Sequence, residues 1–462
     1  MGTVDSVKQQ KGGFKKVLGL GSLVVFGLAY LAPTAVFNYY GPISVAAKGM
    51  YPTCYLITTL AMFFTAFSYA QMAREIPKAG SAYAYAQQAL HPNLGFMTGW
   101  VMLLDYLLLP MVCYLLIGIY MEAYFPIIPA WLWITLVVAF GFIVNYFGVK
   151  LAARVDTVII AAQIALCAVF AGVCIYSISQ GGIDGTANGL FDASAFYNAE
   201  LFEFRVVLYP AAILCVSFLG FDAVSTFAEE SKDPKRDLPR AIMIICLGAG
   251  FLFILMSYFS QAVWPIGYTQ LEDPDAGIFE LLARLPIPNL DIVFLVVDNL
   301  ASLACALSGL AAVTRIMYSM GRDNTLPKAF FGYMHPKYGV PTLNLLLVSI
   351  IGLCAIFFAD NMIAGAELIS FGAITGFIMV NLSVPFYFYK YKKKKSGNFI
   401  KHLLIPVIGI LICVMLWINI APNAKLIGII WLAIGLVICA INTNFFRKLP
   451  SELKLEVDDT ED

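Results

Sequence analysis

About a dozen apolar stretches of 19 or more residues divide this chain, and the cations between them fall in alternate gaps. The stretches run approximately over 18–42, 52–74, 94–121, 128–148, 155–178, 206–229, 240–264, 290–316, 341–359, 363–389, 403–421 and 426–446. Each is long enough to cross roughly 30 Å of hydrocarbon as a helix. Of the 29 Lys and Arg residues, 25 lie in the two terminal segments or in the even-numbered gaps. Only Lys48, Arg205, Arg284 and Lys425 lie in the odd gaps. Cytoplasmic loops carry the excess of Lys and Arg, so this bias predicts an even number of spans with both termini in the cytoplasm.

Composition agrees. With 60% hydrophobic residues, 13% charged residues and a mean hydropathy of +0.81, a soluble globular fold is excluded. The net charge is zero, so overall charge points to no partner class and no nucleic acid is expected. Lys8 to Lys16 lead straight into a full-length span, which is not the pattern of a cleavable signal. The ten cysteines occur singly in or beside apolar stretches, without a CxxC pair, and the three histidines sit in or beside basic loops. Neither a metal site nor a cofactor is expected. The chain has no GxxxxGK[ST] loop to cradle ATP phosphates, no HExxH and no GxSxG, so pumping and hydrolysis both lack their parts. A secondary carrier needs none of these, and no enzyme activity is expected.

Two spans carry interruptions. The first reads Gly27-Leu-Ala-Tyr-Leu-Ala-Pro33-Thr34, with a proline in mid-span that removes a backbone donor. The sixth reads Ser217-Phe-Leu-Gly220-Phe-Asp222, with a glycine and a carboxylate at similar depth. Irregular backbone at membrane depth survives only where protein or a water-filled cavity covers it. Interruptions five spans apart are what an inverted five-plus-five repeat gives, with its site at the midplane. The expected organisation is an N-terminal tail 1–17, a first repeat 18–178, a second repeat 206–389, two further spans within 403–446 and an acidic tail 447–462.

A carboxylate inside a span is costly unless paired, protonated or hydrated, which makes it a functional candidate. Asp105 lies in the third span, Asp222 in the sixth, Asp298 in the eighth and Glu367 near the outer end of the tenth. Asp222 sits at the break and is the first choice for holding a cation or a proton. Asp105 is read equally well as a structural hydrogen-bonding group, and Asp298 and Glu367 are expected in a wetted outer funnel. Desolvation disfavours the charged carboxylate and a bound cation favours it, so such a group can exchange a proton for a cationic solute. Tyr30, Tyr106 and Phe218 offer aromatic faces to an ammonium group, though aromatics at helix interfaces also serve plain packing. The odd gaps hold eleven carboxylates against four cations; this is read either as a vestibule that concentrates cations or as ordinary loop solvation.

Several motifs together resemble the amino acid–polyamine–organocation superfamily along nearly the whole chain, and most of all its putrescine-importing branch. They are Gly27 to Pro33 with Val36-Phe37, Glu75-Ile-Pro-Lys-Ala-Gly-Ser-Ala-Tyr-Ala-Tyr85, Gly95 to Trp100 leading into Leu104-Asp105-Tyr106, Ser217 to Val224, Met320-Gly-Arg-Asp-Asn324, Phe331 to Lys337 and Val380 to Val384. The resemblance implies an all-α membrane fold of twelve helices, with helices 1 and 6 broken. It also implies proton-coupled uptake of an amine or amino acid bound between those helices. The implied substrate site is Tyr30, Pro33, Thr34, Asn38, Tyr106, Ser217, Phe218 and Asp222, and the proton-coupling candidates are Asp222, Asp105 and Asp298. Arg74, Glu75, Lys78, Arg322 and Asp323 are expected to lock the cytoplasmic side by ion pairing.

Amino-acid carriers of the superfamily have a glycine-rich first break whose bare amides hold a carboxylate. Here that place reads Ala32-Pro33-Thr34, which suits a decarboxylated amine. Two positions depart from the pattern: Asn38, where the putrescine branch has an acid, and Gln163, where some proton-coupled relatives have Lys. The expected function is therefore import of putrescine or a similar small amine across the cell membrane by proton symport. Amino-acid permeation by symport or exchange is the alternative. The sequence does not fix the oligomeric state.

Overall fold

The computed structural model describes residues 16, 18–78, 80–147, 153–228, 230–322, 326–336, 338–359, 361–391 and 398–443. The acidic tail, the Lys392 to Lys395 run and Asp323 lie outside them. Among the described residues the molecule is helical, with one isolated backbone bridge and no named strand. With apolar side chains on every face and no water in the bilayer core to satisfy amides, the chain must close its hydrogen bonds within each segment, and it does so as helices.

Among the described residues ten helices are long and apolar enough to cross a membrane, so this is a multi-pass membrane protein. Span 1 is divided into α1 (Leu20–Leu31), α2 (Ala35–Asn38) and α3 (Tyr40–Ala46). Span 2 is α4 (Tyr51–Glu75), followed by the short α5 (Ser81–Ala89), and α6 (Pro92–Tyr124) is the third. Two expected spans correspond to shorter apolar helices, α7 (Ala130–Tyr146) and the segment Thr342–Phe358. Next come α8 (Ala153–Ser179), α9 (Phe204–Ile213) with its 3-10 continuation, and α10 (Pro234–Val263). After these follow the short α11 (Gly277–Ala283) and the long α12 (Leu290–Arg322).

The expected boundaries hold to within a few residues. The longest extensions are six residues, at the end of α12 and at the start of α10, where Pro234 occupies the first turn and Asp237 follows it, both suited to a helix N-terminus. The sequence reading did not anticipate α5 or α11. Both are too short to span, and they cap the bundle.

Both interruptions are real. Ala32 adopts φ 54, ψ 103, so α1 ends at Leu31, and the chain turns through Pro33-Thr34 before resuming. In span 6, α9 tightens into a 3-10 turn over Leu214–Phe218 and Leu219 swings to ψ 130. Gly220 sits at φ 132, and a second 3-10 turn covers Ala223–Phe227. A side chain at Gly220 would meet the Gly27 carbonyl oxygen at 2.8 Å and the Leu31 nitrogen at 3.1 Å, so the two breaks are in backbone contact. Glycine is required there both for its conformation and for the closeness of approach.

The two ends of the bundle are tied differently. On the N-terminal side, Leu18 bridges Ser231: the Leu18 N–H donates to Glu230 O and the Lys232 N–H to Leu18 O, each at 2.9 Å. This joins the start of span 1 to the end of span 6. On the opposite side α11 lies over α3, where Gly41 and Gly277 pack so closely that a Cβ on Gly277 would meet the Gly41 Cα at 3.1 Å. Arg284 reaches across to Asp184 at 3.1 Å and stacks over Trp264. Asp184, one of the carboxylates of the odd loops, is thereby paired locally.

Candidate functional site

The two breaks place two groups of buried polar side chains at different levels of the bundle. The first is built around Asp298 of α12. Thr34, immediately after the break in span 1, has its hydroxyl 2.7 Å from Asp298 Oδ1 and 3.0 Å from Gln163 Oε1. The Thr34 N–H also donates to Gln163 Oε1, at 3.2 Å. An amide freed by the break is therefore satisfied by a side chain from α8, which is how irregular backbone is tolerated in a dry interior. Asn38, with its amide nitrogen facing Asp298, reaches both carboxylate oxygens at 3.3 and 3.2 Å and lies 3.3 Å from the Tyr120 hydroxyl. Asp298 is 1% exposed, so the expected wetted funnel is wrong for it: α12 turns it into the bundle toward the broken span. Glu367 is buried too, and its Oε1 accepts from the Tyr209 hydroxyl at 2.6 Å. That bond joins span 6 to the tenth span.

Above the Asp298 group, away from the Leu18 bridge, aromatic rings close the structure. Phe37 packs edge-on against Phe170 at 4.8 Å and Phe294 at 5.7 Å, and Tyr120 meets Phe279 of α11 at 4.9 Å. Rings in these T-shaped arrangements form a compact apolar plug.

The second group surrounds Asp222 and Asp105. Asp222, at the break of span 6, accepts the Gly220 N–H on Oδ1 at 3.1 Å. Asp105 projects from α6 and lies within electrostatic range of Asp222 and of Tyr30, Tyr69 and Tyr106. Its Oδ1 is buried without a hydrogen-bond partner, and so are the hydroxyls of Tyr30, Tyr69 and Tyr106. A purely structural carboxylate would satisfy itself in the fold. The Oδ1 atom of Asp105 is left unpaired within the protein, which leaves it able to take a ligand, a proton or a water as partner.

Most of the sequence-expected residues therefore meet, but in two sets. Tyr30, Asp105, Tyr106 and Asp222 form one, and Thr34, Asn38 and Asp298 the other. Pro33 lies between them, its carbonyl 3.9 Å from the Cys167 sulfur. Ser217 is occupied with Tyr55, its Oγ 3.2 Å from that hydroxyl. Phe218 is fully buried, edge-on to Phe253 at 5.3 Å, and serves as packing between span 6 and α10. On the Leu18 side, Arg74 and Glu75 end α4, Lys78 follows, and Arg322 ends α12; the Arg322 side chain and Asp323 lie outside the described residues.

Sequence reasoning missed Tyr69, Tyr55 and the Ser81–Ser225 pair. Tyr69 packs against Phe221 of the second break at 5.6 Å and Phe377 at 6.1 Å. The signal was present: Tyr51, Tyr55, Thr58, Met62, Thr65 and Tyr69 fall at helical spacing along α4 and are all buried. Ser225, after the break, lies 2.8 Å from Ser81 at the start of α5, tying that capping helix to span 6. Two of the surface recesses among the described residues lie elsewhere. The larger, about 450 Å³, is lined by Phe191, Phe196, Phe251 and Tyr258 among others. It is almost wholly apolar, and the carboxylate on its rim is Asp192, not Asp105, Asp222, Asp298 or Glu367.

A family model described as amino acid permease matches residues 22–448, and the chain belongs to that family. The chain is 39% identical over 435 residues to a low-affinity putrescine importer, PlaP, of Escherichia coli K12, covering 94% of this chain and 95% of that protein. It is also similar to a branched-chain amino acid permease, BcaP, of Bacillus subtilis strain 168, at 24% identity over 477 residues with 94% of each chain covered. A methylthioribose transporter of the same strain is 25% identical over 460 residues, again with 94% of each chain covered.

Proposed function

We propose that this amino acid permease family member is a secondary importer of putrescine or a related small amine, driven by proton symport across the cell membrane. In this reading it has twelve spans, with 1–5 and 6–10 as inverted repeats, both termini are cytoplasmic, and the substrate binds between the two breaks. The observation that carries it is the Asp105–Asp222 pair, two buried carboxyls beside unpartnered tyrosine hydroxyls, against a backbone that is itself broken.

Two buried carboxyls within electrostatic range of each other disfavour a second charge unless a cation is present. An ammonium group seated beside them favours ionisation of one carboxyl while the other keeps a proton, with Tyr30 and Tyr106 supplying hydroxyl acceptors and ring faces. In symport that proton enters with the amine and leaves with it toward the cytoplasm. Asp222 is the proposed proton carrier, since its partner is a backbone N–H that holds the carboxyl at the break. Arg74, Glu75, Lys78, Arg322 and Asp323 act in this reading as the cytoplasmic lock, and the Leu18–Ser231 bridge would move with spans 1 and 6.

Amino-acid permeation is the second reading, and the branched-chain relative favours it. The first break speaks against it. An α-carboxylate needs free amides, and here the Thr34 N–H is taken by Gln163 and the Ala35 N–H by Ala32 O. The 39%-identical putrescine importer supports the amine. Uptake of a labelled amine and amino-acid panel into proteoliposomes, with and without an imposed pH gradient, tests the proposal. The expected result is gradient-dependent putrescine uptake that amino acids fail to compete. Gradient-dependent amino-acid uptake without amine uptake would overturn it.

A further inference from the structure

Asp298 is a buried carboxylate whose hydrogen-bond partners are all neutral: the Thr34 hydroxyl and the Asn38 amide. Seven residues further along α12 lies Cys305, whose sulfur donates to the Tyr30 carbonyl at 3.4 Å. Seven residues make almost two full turns, so both side chains face span 1, separated by about 10 Å along the axis. The level of Asp298 is thus set off along α12 by about that distance from the Tyr30 backbone, and Cys305 is also within electrostatic range of the Tyr30 hydroxyl and the Asp105 carboxyl. At the Tyr30 end, Asp105 Oδ1 and the Tyr30 hydroxyl are buried and unpartnered, and both residues are more than nine-tenths buried. The first break lies between the two ends.

We propose that Asp298 is a second ammonium anchor, placed one diamine length from the Tyr30–Asp105 end, so that the site reads the spacing between two amino groups. An extended four-carbon diamine carries its nitrogens about 6 Å apart. With a charge-assisted hydrogen bond of about 2.8 Å at each end, it bridges about 12 Å between oxygens. That length fits the axial offset with a modest tilt. An ammonium arriving at Asp298 replaces neutral donors with a charged one, the stronger partner for a carboxylate. A monoamine leaves one end unmet. A three-carbon diamine reaches only about 11 Å and meets both ends without slack for tilt. This inference rests on the amine reading above and adds what selects among amines.

The test separates binding from transport. Purified protein is titrated with 1-aminobutane and with diamines of three to six carbons, and affinity is read from ligand-induced thermal stabilisation. Uptake of the same compounds is measured in proteoliposomes. The expected result is that wild type prefers the four-carbon diamine to 1-aminobutane by at least ~10-fold, and that Asp298→Asn brings this ratio near one. Asp298→Glu, which keeps the charge on a longer arm, shifts the best diamine to one carbon fewer and gives an answer even if the Asn variant does not fold. Equal stabilisation of wild type by monoamine and diamine, or an unchanged ratio and optimum in both variants, overturns the anchor while leaving amine import standing. Length-selective diamine binding without any amine uptake supports the anchor and overturns the importer.

Discussion

The Gly220 N–H donates to Asp222 Oδ1 at 3.1 Å across the turn that interrupts span 6. The residue that breaks the helix and the residue that carries the charge are therefore one local device. Gly220 adopts a conformation that frees the amide, and Asp222 takes the amide it frees. The carboxyl is held at the break by the backbone itself and needs no cationic neighbour to keep it there.

Asp222→Asn keeps an oxygen that can accept the Gly220 amide, so the turn is retained while the charge and the titrating proton are lost. The expected outcome is a protein that inserts and purifies as wild type, with gradient-driven amine uptake reduced by at least ~10-fold, about 1.4 kcal/mol in the transport barrier. Uptake in proteoliposomes at matched protein density checks this. Wild-type rates in the variant would remove Asp222 from the coupling.

Gly220→Ala probes the backbone alone. The new Cβ would lie 2.8 Å from the Gly27 carbonyl oxygen at φ 132, a conformation that residues with a side chain rarely adopt. Strain of this kind costs about 1–3 kcal/mol. Melting in detergent should fall accordingly, and uptake should fall with it, since the substrate is proposed to bind between the two breaks. A variant that melts and transports like wild type would show that the breaks do not touch as described.

Much of this was legible in the residues. Apolar run length gave the spans, Pro33 and Gly220 gave the breaks, and an acid at membrane depth gave Asp222. Asp298 was misplaced because span boundaries say how deep a residue lies but not which way it faces; only the packing of α12 against span 1 turns it inward. Tyr69 was passed over because a buried tyrosine in an aromatic-rich helix looks like ordinary packing until its hydroxyl is found without a partner. Gln163 was legible only as a departure. Its use, accepting the Thr34 amide, depends on a contact between residues 129 positions apart.

Trp100 and Trp431 form a reciprocal clasp between α6 and the last helix, α17 (Pro422–Asn442). Each indole N–H donates to the other residue's carbonyl, at 2.8 and 2.9 Å, with the rings stacked 4.6 Å apart. Trp431→Phe removes one donor, leaves the Trp100 carbonyl with its helical partner alone and keeps a ring in the stack. The expected loss is about 1 kcal/mol of stability, seen as a lower melting temperature, with the affinity for substrate unchanged. An altered KM would mean that α17 communicates with the site.

Asp192 anchors the long loop before span 6. Burial alone would raise its carboxyl, but the Ser194 hydroxyl, the Asn188 amide and the Ser194 N–H all donate to it and hold it below the ordinary value of 3.8. A carboxyl depressed in the folded state stabilises the fold fully above its unfolded value, and that contribution disappears as pH falls through the lower folded value. The loop should therefore resist an acid-active protease equally well from neutral pH down to about 4 and become more readily cleaved as the pH is taken further down. Asp192→Asn should be cleaved more readily at every pH and should lose the acid step. Cleavage rates measured between pH 3 and pH 5 decide it, and a wild-type profile that stays flat to pH 3 would show that these hydrogen bonds do not hold the loop.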